Sequence, residues 1–124
     1  MSENPYIKSR LRSFAFAFNG LRLMLHGQYN FFIHLLLAAI AIVLGLYFDI
    51  SQAEWLWIVL AIGLVLAAEV FNSSIEHLTD LIQKERHPQA GKVKDLAAAA
   101  VLITAATALI IGLFVFIPYF LDLF

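Results

Sequence analysis

Three apolar stretches dominate this chain: Phe31 to Phe48, Trp55 to about Phe71, and Leu96 to about Tyr119. The first and third contain no Asp, Glu, Lys or Arg, and the second contains none between Trp55 and Ala68. A transmembrane helix needs roughly 20 mainly apolar residues, with a range of about 17–25. Each stretch can therefore cross a bilayer, the second only if Glu69 sits at its edge. The chain is 62% hydrophobic and 14% charged, whereas soluble domains average about 45–50% apolar and about 25% charged. The expectation is an all-α membrane protein forming one domain over residues 1–124, because so short a chain cannot build a second core. It has no cysteine, which excludes disulfides and thiolate metal sites.

The basic residues set an orientation. All eight Lys and Arg fall on one side of the layout: Lys8, Arg10, Arg12 and Arg22 before the first span, and Lys84, Arg86, Lys92 and Lys94 between the second and third. By the positive-inside rule the N-terminus and the second loop are cytoplasmic, and the C-terminus lies outside. Cysteines introduced at Gln52 and Gln89 check this: in intact cells an impermeant thiol reagent should modify the first and spare the second. The N-terminus lacks a charged, then apolar run ending in a small-residue cleavage site, so no signal peptide is expected. The basic residues are few and sit beside spans, which gives nucleic-acid binding no support.

Residues 5–27 read as a helix lying in the cytoplasmic interface. Ile7, Leu11, Phe14, Phe18, Leu21 and Leu25 recur at steps of four and three, with Lys8, Arg12, Asn19, Arg22 and His26 on a stripe beside them. An apolar stripe beside a basic one suits a membrane surface; packing on protein is the alternative. Between the first two spans, Ser51-Gln52-Ala53-Glu54 has the spacing of a capping box that starts the second helix.

The unusual chemistry is concentrated at the end of the second span. Glu69, Asn72, Glu76 and Asp80 follow at steps of three, four and four, which keeps them within about a fifth of a turn on one helix face. A carboxylate closing an apolar run is costly in hydrocarbon and needs a partner, a metal or a task. The plain alternative is a solvated face paired with Lys84 or Arg86, strongest for Asp80. Residues 72–95 form a cytoplasmic polar block. Within it His87 lies in the loop Arg86 to Gly91, where a lone histidine is usually just exposed. Lys94-Asp95 is expected to open the third helix, with Asp95 as its N-cap or the pair as a phosphate-collecting terminus. His34 and His77 show no partner and read as structural. The chain has no phosphate-binding GxxxxGK[ST] loop, no Gly-rich kinase loop and no His-Glu-x-x-His motif, so any nucleotide chemistry uses a different frame.

The block resembles the prokaryotic diacylglycerol kinase family, which includes the undecaprenol kinases. The matching text is Ala68-Glu-Val-Phe-Asn-Ser-Ser-Ile-Glu-His-Leu-Thr-Asp80, then Glu85-Arg-His87, then Gly91-Lys-Val-Lys-Asp-Leu-Ala-Ala-Ala-Ala-Val101. Upstream, Phe18-Asn-Gly-Leu-Arg22 and Asn30-Phe31 also fit, so the likeness runs from about Arg10 to Leu113. It implies a small kinase of the bacterial cytoplasmic (inner) membrane, with three transmembrane helices and an amphipathic N-terminal helix. It further implies a homotrimer whose sites are shared between subunits, with ATP as co-substrate, Mg²⁺ as cofactor and a membrane lipid alcohol as acceptor. By position, Glu69 would be the general base, Glu76 the metal ligand and Asn72 a positioning group. Phe16, Gln28, Glu76, Glu85, Arg86, His87, Lys94 and Asp95 would line the ATP site, and Glu69, Asn30 and Phe31 would meet the lipid.

The chain departs from the family pattern at Gln28, where a second metal-linked glutamate is usual. An amide keeps an oxygen ligand but loses a negative charge. The arginine that often follows the Asn-Phe pair is replaced by Phe32. Three function classes follow: a lipid kinase acting on diacylglycerol or undecaprenol, a non-catalytic assembly protein of the same fold, and a small proton-coupled transporter titrating Glu69. The polar block after Glu69 disfavours transport. The intact set of Glu69, Asn72, Glu76, Lys94 and Asp95 disfavours the assembly protein. Self-association is expected in any case, because three helices cannot shield Glu69 from lipid unaided, and the alanines at 97–100, 105, 106 and 108 permit close helix contact.

Overall fold

The computed structural model describes residues 4–124, and all regular structure among them is helical. Helix α1, Pro5–Gly27, begins with a proline at its first position, and the Asn4 side chain accepts the Tyr6 amide at 3.0 Å. Both features suit a helix start, since proline has no N–H to leave unpaired and the cap satisfies one that is. Gln28 alone, in extended conformation, separates α1 from α2, Tyr29–Phe48. Asp49 ends α2 in the left-handed region (φ 51°), a conformation that Asp tolerates better than most residues.

Helix α3, Gln52–Ile82, opens on the expected capping box: the Glu54 amide donates to Ser51 Oγ at 3.2 Å, and the Ser51 amide donates to Glu54 Oε1 at 3.0 Å. It then runs unbroken for 31 residues, or about 47 Å at 1.5 Å per residue. The hydrocarbon core of a bilayer is only about 30 Å thick, so α3 reaches well beyond it. The polar block is therefore mostly helix, broken only over 83–87.

Helix α4, Pro88–Leu121, starts earlier than expected. Lys94-Asp95 does not open it and Asp95 is not its N-cap. His87 takes that place, its Nδ1 accepting the Gln89 amide at 3.1 Å, with Pro88 at the first helical position. The proline sets the helix start, several residues before the apolar run begins.

The chain reverses between α2 and α3 and again between α3 and α4, which makes α3 antiparallel to both. It packs most extensively on α4 and less on α2. The core lies at the end away from the polar block, where Ile50, Ile58, Val115 and Phe116 are buried beneath Leu44, Phe48, Trp55 and Tyr119. Gly45 sits against Trp55 so closely that an added Cβ would lie 2.5 Å from the ring. At the same end, the Tyr119 hydroxyl donates to Glu54 Oε1 at 2.6 Å, tying the start of α3 to the end of α4.

Elsewhere many large apolar side chains point outward, among them Phe14, Leu36, Val43, Leu64, Leu102 and Phe114. The accessible surface is 9907 Å², against about 6,700 Å² for a compact soluble monomer of this mass. Exposed apolar patches on this scale require lipid or protein cover. Helices α2, α3 and α4 are each long and apolar enough to span a membrane.

Candidate active site

The polar stripe of α3 runs from buried Glu69 through half-buried Asn72 and Glu76 to exposed Asp80. Glu69 is buried, its side chain 5% exposed, although it is a carboxylate at the end of an apolar run. Its partner is on α2: His34 Nε2 lies 3.1 Å from Glu69 Oε1. His34, for which the sequence shows no partner, therefore has one. The two residues are 35 positions apart, a pairing outside the reach of any local pattern. One signal was available, because His34 is the single ionisable imidazole in a stretch without charged residues, and the argument that singles out Glu69 applies to it too. His77 Nδ1 donates to the Ser73 carbonyl of its own helix at 2.7 Å.

One turn further along, Asn72 Nδ2 donates to Glu76 Oε1 at 3.4 Å. The other end of that amide, Asn72 Oδ1, is buried without a hydrogen-bond partner. A buried unpaired acceptor is costly and marks a place where a donor or cation belongs. Asp80 closes the stripe. It pairs with Lys94 of α4, and not with Lys84 or Arg86, at 2.5 Å. Lys94 is thereby held against α3 at the end of the bundle where Glu76 lies.

The remaining expected site residues are less gathered. Phe16 is exposed on α1, Gln28 is half-buried between α1 and α2, and Asn30 is exposed while Phe31 is buried. Glu85, Arg86, His87 and Asp95 are exposed. Among the described residues none of these bonds to Glu69 or Glu76, and no three His, Asp or Glu side chains converge as a ready-made metal cage. The donor set still suits Mg²⁺, which takes one or two carboxylates with the rest from phosphate and water. Glu76 and the orphaned Asn72 Oδ1 provide hard oxygen ligands of that kind.

Below this polar cluster an apolar cleft of about 340 Å³ runs between α2, α3 and α4. His34 is its one polar lining residue, and Leu37, Ala41, Val65, Ala105 and Phe116 are among the others. The arrangement therefore places a buried carboxylate between a hydrocarbon slot and a set of oxygen and ammonium groups.

The sequence profile of the prokaryotic diacylglycerol kinase family matches residues 15–116. The undecaprenol kinase of Bacillus subtilis (strain 168) is 37% identical over 107 residues, covering 86% of this chain and 87% of that one. The diacylglycerol kinase of Helicobacter pylori (strain J99 / ATCC 700824) is 38% identical over 89 residues, covering 72% and 66%. The diacylglycerol kinase of Escherichia coli (strain K12) is 34% identical over 71 residues, covering 57% and 58%. The family match takes in parts of all four helices and the whole polar stripe, and the chain belongs to the prokaryotic diacylglycerol kinase family.

Proposed function

We propose that this protein is a lipid kinase of the bacterial inner membrane that moves the terminal phosphate of ATP to the hydroxyl of a membrane lipid alcohol. The observation that carries the reading is the position of Glu69, buried on the polar stripe and bonded to His34, the polar wall of the apolar cleft. The hydroxyl arrives from the bilayer and ATP from water, so a base at that boundary reaches the first while Lys94 and the oxygens beyond it reach the second. In-line phosphoryl transfer needs little more than positioning, charge neutralisation and a group beside the attacking oxygen.

Glu69 takes the hydroxyl proton as the general base, the group beside the attacking oxygen. Glu76 and Asn72 would hold Mg²⁺, which when bound neutralises phosphate charge. Lys94 exchanges Asp80 for a phosphate oxygen, while Glu85, Arg86, His87 and Asp95 line the nucleotide from the α3–α4 junction. Helix α1 lies in the cytoplasmic interface with its apolar stripe in the lipid, bringing Phe16 and Gln28 to the nucleotide. Asn30 and Phe31, at the start of α2, border the lipid. Self-association, as a homotrimer, covers the outward apolar faces.

The broad likeness to an undecaprenol kinase makes undecaprenol the first acceptor to try, and diacylglycerol the second. Phosphate transfer from ATP in mixed micelles, with the two lipids in parallel and Mg²⁺ present or chelated, tests the reading. Metal-dependent turnover of either lipid supports it. No turnover by folded, oligomeric protein would favour the non-catalytic assembly alternative, for which Gln28 is the one argument. Gln28→Glu restores a carboxylate and should lower the Mg²⁺ concentration for half-maximal rate about tenfold, equivalent to about 1.4 kcal/mol. An unchanged Mg²⁺ requirement would place Gln28 away from the metal.

A further inference from the structure

We propose that His34 is a positioning residue for the base: its Nε2–H holds one carboxylate oxygen of Glu69, leaving the other to face the lipid hydroxyl. The assignment rests on the kinase reading given above. His34 is the one hydrogen-bond partner of Glu69 among the described residues, at 3.1 Å, and its own side chain is 17% exposed. The contact joins α2 to α3, so tertiary packing builds it. It stands at the polar end of the cleft, of which His34 is the sole polar wall. The other polar groups nearby are committed elsewhere: Asn72 bonds to Glu76, and Lys94 to Asp80.

The chemistry follows from the donor count of imidazole. Nε2–H is present both in the neutral tautomer with that proton and in the imidazolium, so either form can donate to Glu69 Oε1. An unheld carboxylate rotates and presents two equivalent oxygens, whereas one fixed at Oε1 presents Oε2 in a single direction. As the lipid O–H bond breaks, its proton goes to Oε2 and the oxygen's electron pair forms the new bond to the terminal phosphorus. The bond from that phosphorus to the bridging oxygen breaks, and ADP leaves with its electrons. Glu69 then returns the proton to water. His34 touches none of the reacting atoms. It removes the orientational freedom of the group that does.

Steady-state rates of the whole protein in micelles, compared for wild type, His34→Leu and His34→Gln, test this. His34→Leu should lower kcat about 10- to 100-fold, a part of what a general base supplies, with KM for lipid and for ATP within about threefold. His34→Gln, which retains an N–H donor, should recover most of the loss. Unchanged kcat in His34→Leu, a change confined to KM, or a His34→Gln protein as impaired as His34→Leu would overturn the proposal. An infrared spectrum at pH 7 gives an arm independent of turnover. The carboxylate stretching bands of Glu69, identified by their loss in Glu69→Gln, should shift in His34→Leu as the Nε2–H bond to Oε1 is removed. Glu69 carboxylate bands left unshifted in folded His34→Leu also count against the assignment. Wild-type protein inactive on every lipid alcohol, with the infrared difference present, would instead sink the kinase reading and leave the His34–Glu69 pairing standing.

Discussion

Glu69→Gln is expected to lower lipid phosphorylation about 10²- to 10⁴-fold, the usual contribution of a positioned general base. Glutamine matches glutamate in size and can still accept from His34 Nε2–H, so the packing between α2 and α3 survives. The lost property is the capacity to take a proton. Nucleotide affinity should stay within a few-fold of wild type, because Glu76, Asn72 and Lys94 lie further along the stripe, Glu76 about 10 Å from Glu69 along the helix axis. Initial rates together with ATP binding measured on the same preparation separate the two effects. Near-normal turnover in Glu69→Gln would remove Glu69 from the chemistry, and loss of ATP binding would reassign it to the nucleotide.

The second large effect concerns the opposite end of the bundle. Gly45→Leu should destabilise the fold by about 2–3 kcal/mol, the upper part of the usual range for overpacking a core. An added Cβ alone would stand 2.5 Å from Trp55 Cη2 and 2.8 Å from Cζ2. The Trp55 ring is itself held among the core residues and cannot simply swing aside. Leucine has the better helix propensity, by about 0.8–1.0 kcal/mol relative to glycine, which is too little to offset the overlap. Thermal unfolding in detergent, followed by circular dichroism, checks the sign and size. Adding Trp55→Ala should recover part of the loss, and the coupling from the double-mutant cycle should be well above 0.5 kcal/mol.

What could be read in advance divides by the range of the interaction. The three spans were legible because hydrocarbon imposes a length and excludes charge, and both conditions show in linear sequence. The capping box at Ser51 and Glu54 was legible for the same reason, as its partners are three residues apart. So was the Asn72–Glu76 contact, a step of four on one helix. The start of α4 was misplaced because the apolar onset near Leu96 hid the stronger stop-and-start signal of Pro88. Asp80 has Lys84, Arg86, Lys92 and Lys94 following it in sequence, and only the antiparallel return of α4 selects Lys94. His34–Glu69 and Gly45–Trp55 are both decided by how α2 meets α3. No periodicity carries that information.

The unbroken length of α3 bears on the membrane in which the protein works. From its capped start at Gln52 to Glu69 the helix rises about 26 Å, slightly less than the roughly 30 Å of an average hydrocarbon layer. The depth of the carboxylate is thus set by a rigid rod anchored at its far end. A thicker bilayer draws Glu69 inward, away from the water that carries ATP; a thinner one lifts it toward the headgroups. On the proposed function, hydrophobic mismatch, usually a matter of sorting and tilt, is expected to change the rate as the acyl-chain length of the surrounding lipids changes.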